Sequence, residues 1–314
     1  MSRIITLTLN PSLDKTFNLD NFQNGKVNRA KDYRIDAGGK GINVSRALSN
    51  FNTENTALGI IGGESGALLE KLLKKENVEC DFLKVDGQTR TNYKIFDAAS
   101  GDTTDINEPG ICMSQAHRDA FFEKYRSHLK DADFAVLAGS IPPDTEPDIY
   151  KTLIEEAKKY NVKVILDAEG EKLSEGIKAQ PFAIKPNIHE FEDLCGKSMK
   201  SQADILNGIR EIQKSGIELV VVSMGGDGAI FMQENIAYKT AAPNVARKST
   251  VGCGDSVVAG IVYSLANGFD LKKTAMFSAA CGSVTATKDG TNMCTLDEVN
   301  AFCNNIPIDR IEFL

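Results

Sequence analysis

Apolar residues follow two different spacings along this chain, and each spacing predicts a different kind of element. Residues 3–9 alternate β-branched and leucine side chains, which predicts a strand. Residues 219–222 form a near-continuous apolar run, which is typical of a parallel strand that is covered on both faces. Elsewhere, as over residues 44–51, apolar side chains recur every three or four positions. That spacing predicts amphipathic helices.

Strands and helices alternate in this pattern, which predicts an α/β fold with a doubly wound, mostly parallel sheet between helix layers. The predicted strands cover residues 3–9, 56–61, 134–138, 162–167, 182–185 and 218–223, and a hairpin follows at 229–233 and 235–239. The predicted helices cover residues 42–51, 66–75, 114–130, 147–160, 171–179, 188–195, 202–215, 254–267, 271–288 and 296–304. No internal repeat or low-complexity linker interrupts them, so we expect residues 1–314 to form a single domain.

Two polar segments do not fit this alternation. Residues 14–36 carry several charges with only weak alternation, whereas residues 89–97 and 102–106 alternate on either side of a turn. The second pattern is typical of a β-hairpin. We therefore expect the segments at about 14–36 and 89–107 to form a small β lid beside the main sheet.

Composition narrows the classes of partner. Of the 314 residues, 42% are hydrophobic and 25% are charged, which is ordinary for a globular protein. The net charge of −7 gives no general attraction to nucleic acid or to anionic membranes, so we expect neither as a partner. The seven cysteines are scattered and form no Cys-x-x-Cys pair, and the sequence contains no signal-peptide or membrane-anchor pattern. These features predict reduced thiols and a cytoplasmic protein.

Two common nucleotide-binding motifs are incomplete in this sequence. Gly196-Lys197-Ser198 resembles the end of a Walker A loop, but Phe191 stands where the upstream glycine is required. Gly252-x-Gly254 lacks the third glycine of the dinucleotide motif, because the next position is Val257. These departures argue against a P-loop NTPase and against a Rossmann oxidoreductase.

Two glycine-rich segments each open a predicted helix. Gly252-Cys253-Gly254-Asp255 begins the helix at 254–267, and Gly38-Gly39-Lys40-Gly41 precedes the helix at 42–51. Backbone N–H groups at a helix start bind anions, phosphates above all. Alone, Asp255 favours a capped helix, since a carboxylate competes with phosphate for the same amides. Together, one glycine-rich helix start with a lysine and another with an aspartate suggest two phosphorylated ligands.

Other polar residues that could bind a sugar phosphate each have a structural alternative. Asp14 could cap a turn, and Asn43 could be an exposed helix residue. Arg90 could bind a phosphate or be a solvated charge on the lid, and Lys26 has a still stronger structural explanation because polar segments carry such charges routinely.

Two segments that could bind a nucleotide also have structural alternatives. Asn187 and Glu190 fit a capping box at a helix start, and alternatively they could lie near a Mg²⁺–triphosphate. The glycines from Gly225 to Gly228 suit either a tight hairpin or a close approach of the backbone to a nucleotide.

Five motifs together resemble the ribokinase-like sugar kinases, in their phosphofructokinase-B branch, over nearly the whole chain. They are Thr8-Leu9-Asn10-Pro11-Ser12-Leu13-Asp14, Gly38-Gly39-Lys40-Gly41-Ile42-Asn43-Val44, Gly139-Ser140-Ile141-Pro142-Pro143, Lys185-Pro186-Asn187-x-x-Glu190 and Gly252-Cys253-Gly254-Asp255-Ser256. Within the branch, Val27-Asn28-Arg29 and Thr89-Arg90-x-Asn92 are most similar to the 1-phosphofructokinases, with tagatose-6-phosphate kinases close behind.

The resemblance implies a ribokinase-like fold and transfer of phosphate from ATP to a ketohexose phosphate, with Asp255 as the base. The anion hole would be formed by the amides of Gly252, Cys253 and Gly254. The sugar phosphate would be bound by Asp14, Gly38, Gly39, Lys40, Asn43, Arg90, Ser140 and Lys26. The nucleotide would be bound by Lys185, Asn187, Glu190, Ser223, Gly225 and Gly228, and Mg²⁺ would be organised, through water or phosphate, by Asn187 and Glu190.

Two further properties follow only from the resemblance. It implies K⁺ bound by backbone carbonyls near Ser249, Val251 and Gly290, and a homodimer formed through the lid.

The favoured acceptor is fructose 1-phosphate, and tagatose 6-phosphate and fructose 6-phosphate are the alternatives. A non-catalytic sugar-phosphate sensor is the alternative from another class, although a sensor would need no base.

The chain departs from the family pattern at three places. Cys253 replaces the usual alanine of the anion hole; we expect activity to persist, because the backbone amide does the chemistry, with sensitivity to thiol reagents. Asp167-Ala168-Glu169-Gly170 adds negative charge near the mouth of the site, and Asp144 replaces a common glycine. These two departures leave the choice of acceptor open.

Overall fold

The computed structural model describes residues 2–312. The strands are β1 Ile4–Thr8, β2 Ser12–Leu19, β3 Asp32–Gly38, β4 Asn55–Gly62, β5 Glu79–Cys80, β6 Leu83–Val85, β7 Arg90–Asp97, β8 Thr103–Asn107, β9 Phe134–Ala138, β10 Lys163–Asp167, β11 Ala183–Ile184, β12 Leu219–Ser223, β13 Ala229–Gln233, β14 Ile236–Thr240 and β15 Ile308–Ile311. The α-helices are α1 Lys40–Asn50, α2 Gly63–Lys75, α3 Gln115–Leu129, α4 Ile149–Lys158, α5 Glu171–Gly176, α6 Ile188–Cys195, α7 Gln202–Gln213, α8 Cys253–Ala266, α9 Leu271–Ala286 and α10 Leu296–Cys303.

The main sheet has the strand order β15-β14-β13-β12-β11-β10-β9-β1-β4-β5, and β6 also pairs with β4. The pairs from β12 to β5 are parallel, whereas β13, β14 and β15 add an antiparallel edge. From β1 the chain passes to β4 on one side and later to β9 on the other. The strand order therefore reverses beside β1, and ligands of doubly wound sheets bind at such a switch point.

Helices cover both faces of this sheet. On one face, side chains of α3 to α7 such as Tyr125, Leu153 and Phe191 pack against Leu7 and other strand residues. On the other face, α1, α8, α9 and α10 pack against the alternate residues of the same strands. Because successive side chains of a strand point to opposite faces, a strand between two helix layers is apolar at almost every position. The predicted doubly wound α/β fold is confirmed.

The lid is a separate four-stranded sheet with the order β3-β2-β7-β8. The pair β2–β3 is antiparallel, β2–β7 is parallel, and β7–β8 is the predicted hairpin. On one face Phe17 stacks on Tyr93, and the ammonium of Lys15 lies over the ring of Tyr33 at 4.7 Å. The predicted small β lid is confirmed, and the assignment of residues 1–314 to a single domain stays a prediction.

Three short strands, β5, β6 and β15, did not follow from the sequence pattern. β5 and β6 have two and three residues, too few for any alternation to be visible. β15 reads Ile-Asp-Arg-Ile and lies at the exposed edge of the sheet, where half-buried strands carry charges. Over residues 2–312, every helix is too short or too polar to span a membrane.

Candidate active site

A glycine turn opens α8 at the carboxyl edge of the sheet. Gly252 caps the helix with a φ of 75°, in the left-handed region that favours glycine. A Cβ atom at this position would lie only 2.5 Å from Cε of Met293, so a larger residue would also displace that side chain. The first N–H groups of an α-helix have no partner within the helix, and here they face the open end of the sheet. A helix start of this kind can bind an anion.

Asp255 lies in the first turn of α8 and is 8% exposed. Its Oδ2 accepts a hydrogen bond of 2.8 Å from Nδ2 of Asn43, which lies in α1. Burial, with the nearby carboxylate of Asp167, raises the pKa of Asp255 to about 6. The hydrogen bond from Asn43 and the two nearest lysines act in the opposite direction. A carboxylate with this pKa can accept a proton at neutral pH.

Two lysines meet a buried carboxylate between the two glycine-rich helix starts. Nζ of Lys40 lies 3.4 Å from Oδ1 of Asp167, and Nζ of Lys185 lies 3.5 Å from the same oxygen. Asp167 ends β10 and is 1% exposed. Burial alone would lower the pKa of Lys40, but Asp167, Asp255 and other nearby carboxylates outweigh it and raise that pKa. Lys40 therefore carries its positive charge at neutral pH.

A second group of polar side chains lies where the lid meets the main sheet. Oδ1 of Asp14 accepts hydrogen bonds from the Ser12 hydroxyl at 2.9 Å and from Nδ2 of Asn92 at 3.1 Å. A Cβ atom at Gly38 would lie 2.5 Å from that same oxygen, so glycine is needed for the approach of β3. These bonds satisfy Oδ1 and hold the carboxylate of Asp14 in one orientation. We infer that Asp14 forms a fixed side of the site rather than simply capping a turn.

Arg90 begins β7 and reaches across to the loop after β9. Its Nη2 donates to the hydroxyl of Ser140 at 2.9 Å, and its Nε donates to the backbone oxygen of Asn10 at 3.2 Å. Burial lowers the pKa of Arg90, and Asp14 partly opposes this shift. Lys26 is different: it is exposed in the loop between β2 and β3, and within residues 2–312 its side chain forms no hydrogen bond or salt bridge.

A cavity of about 280 Å³ opens beside the glycine turn, and no residue of the four lid strands lines it. Its wall includes small residues of the β12–β13 turn and of α8 and α9, among them Ser223, Gly225, Gly228, Gly254 and Gly282. A Cβ atom at Gly228 would collide with the backbone of Thr240, which explains the glycine. A cavity of this volume with a mostly apolar wall suits a planar group such as a nucleotide base.

Asn187 and Glu190 form the predicted capping box at the start of α6. The side chain of Asn187 accepts from the backbone N–H of Glu190 at 2.9 Å, and Oε2 of Glu190 accepts from the backbone N–H of Asn187 at 2.8 Å. Ser223 lies beside them, since its N–H donates to the carbonyl of Pro186. The structural explanation therefore holds, and one carboxylate oxygen of Glu190 is not used by the cap.

The geometry can be compared with that of known proteins. Residues 7–298 match the pfkB family of carbohydrate kinases. The chain belongs to this family.

Named relatives cover almost the whole length of the kinase. The chain is 36% identical to a 1-phosphofructokinase of Borreliella burgdorferi, over 98% of this chain and 99% of the relative. It is 37% identical to a 1-phosphofructokinase of Bacillus subtilis, over 90% and 92%. The crystal structure of phosphofructokinase-2 from Escherichia coli in complex with potassium has a TM-score of 0.92 at 31% identity and covers 97% of this chain and 99% of that chain. The kinase therefore has a ribokinase-like fold.

Three side chains to which the sequence assigned no binding or catalytic role also lie among the candidates. Asp167 joins the two lysines, Asn92 fixes Asp14, and Arg46 contacts Asn43 at 3.3 Å. Asp167 had a signal, because it ends a buried strand at the same edge as the other candidates. Arg46 had none, because a lone arginine on a helix is usually solvated.

Activity of the kinase is expected to depend on pH through Asp255. Because a pKa of about 6 leaves the carboxylate half protonated at that pH, kcat/KM should be about half of its plateau at pH 6 and level off above about pH 7. At pH 5 it should be about a tenth of its plateau. We would measure it by chromatographic quantification of ADP, which avoids pH-sensitive coupling enzymes.

Phosphate groups of the substrates titrate in the same range, so the variant Asn43→Ala is needed as a control. Loss of the 2.8 Å hydrogen bond should move the acid limb to higher pH, whereas titration of the substrates would not respond. An acid limb that stays in place in this variant would reject Asp255 as its source.

The expected sensitivity of Cys253 to thiol reagents is not supported by the structure. Burial raises the pKa of the Cys253 thiol to about 11, so almost none of it is the reactive thiolate at neutral pH. We expect Cys253→Ala to keep kcat within about threefold of wild type, since the anion hole uses the amide. Dithionitrobenzoate should label exposed Cys112 first and leave activity intact. Inactivation that is abolished by Cys253→Ala would contradict this expectation.

Proposed function

We propose that this kinase transfers the γ-phosphoryl group of ATP to fructose 1-phosphate, giving fructose 1,6-bisphosphate and ADP. The observation that carries the proposal is the hydrogen bond between Asn43 and Asp255, because it joins the start of one glycine-rich helix to the start of the other. Asp255, the proposed base, then lies beside Asn43 and the proposed site for the sugar. The 1-phosphofructokinase names of the sequence relatives support this acceptor.

In the proposed mechanism the chain acts mainly by positioning and by stabilising charge. Asp255 accepts the proton of the attacked sugar hydroxyl, and this transfer comes late because the transition state for phosphoryl transfer is loose. The amides of Gly252, Cys253 and Gly254 stabilise the oxygens of the transferring group. The phosphorus atom under attack would lie between the carboxylate of Asp255 and these amides. The carboxylate and the phosphoryl group therefore need not compete for the same N–H groups.

The acceptor would be held by its hydroxyls and by its existing phosphate. Asp14, Gly38, Gly39 and Asn43 would bind hydroxyls. Oδ2 of Asp14 is not used by Ser12 or Asn92, and it lies 4.0 Å from Nζ of Lys94. The phosphate would lie between Lys40, Arg90 and Ser140. Their charges and donors suit a dianion better than a neutral hydroxymethyl group. Lys26 would join them only after the loop between β2 and β3 moves, since it forms no contact with the site.

ATP and Mg²⁺ fit the residues on the other side of the glycine turn. The cavity beside Gly225 and Gly228 would hold the base. Lys185 would face the phosphates, since its Nζ lies beside Gly254, 3.6 Å from where a Cβ atom would stand. Mg²⁺ prefers oxygen ligands and keeps several waters, so Asn187 and the free oxygen of Glu190 suffice to organise it through water or phosphate. Bound Mg²⁺ would neutralise charge on the triphosphate.

K⁺, a dimer and the cellular location belong to the same proposal. Phosphofructokinase-2 of Escherichia coli has been solved in complex with potassium, which supports K⁺ at the carbonyls near Ser249, Val251 and Gly290. A tetrameric form of that protein is known, and here the lid leaves Val27, Tyr33 and Ile106 more than half exposed, which supports a homodimer through the lid. The seven free thiols support a cytoplasmic location.

Other acceptors compete with fructose 1-phosphate. Phosphofructokinase-2 of Escherichia coli has been solved with fructose-6-phosphate, at a TM-score of 0.91 and 29% identity to this chain. Tagatose 6-phosphate remains a second alternative. The sensor hypothesis is disfavoured, because a sensor gains nothing from a buried aspartate whose pKa is raised to about 6.

The test is ADP release from ATP with each of three acceptors at equal concentration: fructose 1-phosphate, tagatose 6-phosphate and fructose 6-phosphate. We expect kcat/KM to be at least tenfold higher for fructose 1-phosphate than for the other two. A higher value for either alternative would replace the proposed substrate. No turnover with any of the three would reject a ketohexose phosphate altogether.

A further inference from the structure

Arg46 is a buried arginine of α1 that does not reach the site of phosphoryl transfer. Its side chain is 4% exposed. Nε and Nη2 pair with the two carboxylate oxygens of Glu76, which follows α2, at 2.5 and 3.1 Å. Nη1 points the other way and donates to Oδ1 of Asn43 at 3.3 Å and to the backbone oxygen of Thr291 at 3.1 Å. A buried guanidinium is costly unless its partners are well arranged, so these contacts need an explanation.

The contact with Asn43 decides which way its amide group faces. An arginine has only donors, so the atom of Asn43 that faces Arg46 must be the oxygen. The amide NH₂ is then turned toward Asp255, to which it donates at 2.8 Å. With no donor at Arg46, the amide could rotate and present its oxygen to Asp255 instead.

The contact with Thr291 connects the same guanidinium to the segment that packs against Gly252. Two residues further on, Met293 packs against Gly252, where a Cβ atom would lie 2.5 Å from its Cε. Sδ of Met293 also accepts from the hydroxyl of Ser256, the residue after Asp255. Arg46 thus links Asn43 of α1 to the segment that supports the glycine turn.

We propose that Arg46 is a positioning residue of the kinase, which fixes the amide of Asn43 so that the carboxylate of Asp255 stays hydrogen-bonded and aimed at the acceptor. The inference deepens the proposed function and rests on it for the role of Asp255. Charged groups face this pair from each neighbouring element: Asp167 from β10, Lys185 after β11, Lys40 from the start of α1 and Glu76 after α2.

Loss of Arg46 has a consequence that a purely structural role would not have. An amide oxygen turned toward Asp255 can form a hydrogen bond only with the protonated carboxyl group, so the protonated form is favoured. Arg46→Met should therefore raise the pKa of Asp255 by about one unit, as Asn43→Ala should. A destabilised but otherwise intact site would leave that pKa unchanged.

The experiment is a pH titration of Asp255 by NMR, with aspartate labelled with ¹³C at its carboxyl carbon and Asp255→Asn used to assign the signal. The full-length enzyme is compared as wild type, Asn43→Ala, Arg46→Met and the double variant. If Arg46 acts through Asn43, the double variant should titrate as Asn43→Ala does. Additive shifts would mean that the charge of Arg46 acts through space and would overturn the proposal, as would no shift in Arg46→Met.

Two variants guard this experiment. Arg126→Met removes another interhelical pair, with Glu156 at 2.9 Å on the far side of the sheet, and should leave the Asp255 signal in place. If Arg46→Met does not fold, Arg46→Lys keeps the charge but not the planar fork and should shift the pKa in the same direction. An unshifted pKa in a folded Arg46→Lys enzyme would overturn the proposal.

The kinetic readout separates this inference from the proposed function. In Arg46→Met, kcat should fall about tenfold or more with little change in the KM for ATP, because the base is less often ionised and less well aimed. The NMR titration needs no sugar. If wild type turned over none of the three acceptors, the proposed function would fail, while the titration would still decide whether Arg46 orients Asn43.

Discussion

Asp255→Asn is expected to lower kcat by about 10³-fold or more while leaving the affinity for ATP nearly unchanged. The substitution keeps the size of the side chain but removes the carboxylate that we propose as the acceptor of the sugar hydroxyl's proton. It also replaces a carboxylate that Asn43, Lys40 and Lys185 stabilise. The measurement is steady-state ADP release, together with calorimetric titration of ATP into the variant.

The matched control is Asp131→Asn, a residue 69% exposed in its side chain and paired with Arg3 at the opposite edge of the sheet. That control should retain the wild-type rate, since surface pairs contribute little. An Asp255→Asn enzyme with a rate within tenfold of wild type would reject the assignment of the base.

Arg90→Met is expected to raise the KM for fructose 1-phosphate by about 10²-fold, with a smaller effect on kcat. Two charge-assisted hydrogen bonds to the acceptor phosphate would be lost, at a cost of about 3 kcal/mol. Arg90→Lys should show an intermediate effect, since it keeps the charge and loses the planar fork. The measurement is ADP release as a function of sugar phosphate at saturating ATP.

Arg90 also has a structural role, because it bonds Asn10 and Ser140. The KM for ATP therefore serves as an internal control, and Arg3→Met, an exposed arginine at the other edge, serves as the external one. An equal rise of both KM values in Arg90→Met would show that the lid had been disturbed. An unchanged KM for the sugar phosphate would contradict a role in binding its phosphate.

The fold followed from the sequence because its main signal is local. Apolar strands such as β9 and β12 lie between two helix layers, so each is apolar along its whole length and can be recognised without knowing its neighbours. The edge strand β15 has no such signal, since only its ends are apolar and its pairing partner, β14, lies far away in sequence. β15 could not be predicted from the sequence because its middle residues are exposed and polar, and not only because it is short.

The site followed only in part, because half of it depends on distances that no motif contains. The glycine-rich turns are visible in the sequence, and so is Asp255, since the proposed chemistry needs it directly after one of them. The bond between Asn43 and Asp255 spans 212 positions, and that between Arg46 and Thr291 spans 245. Asp167 is likewise defined by the two lysines that meet it in space.

In the proposed function, one side of the site holds a phosphate already present on the acceptor and the other side delivers a new one. The most direct test compares kcat/KM for fructose 1-phosphate with that for unphosphorylated fructose in the wild-type kinase. We predict a ratio of at least about 10³, because Lys40 and Arg90 have no partner on plain fructose. Equal values for the two sugars would contradict a two-phosphate site.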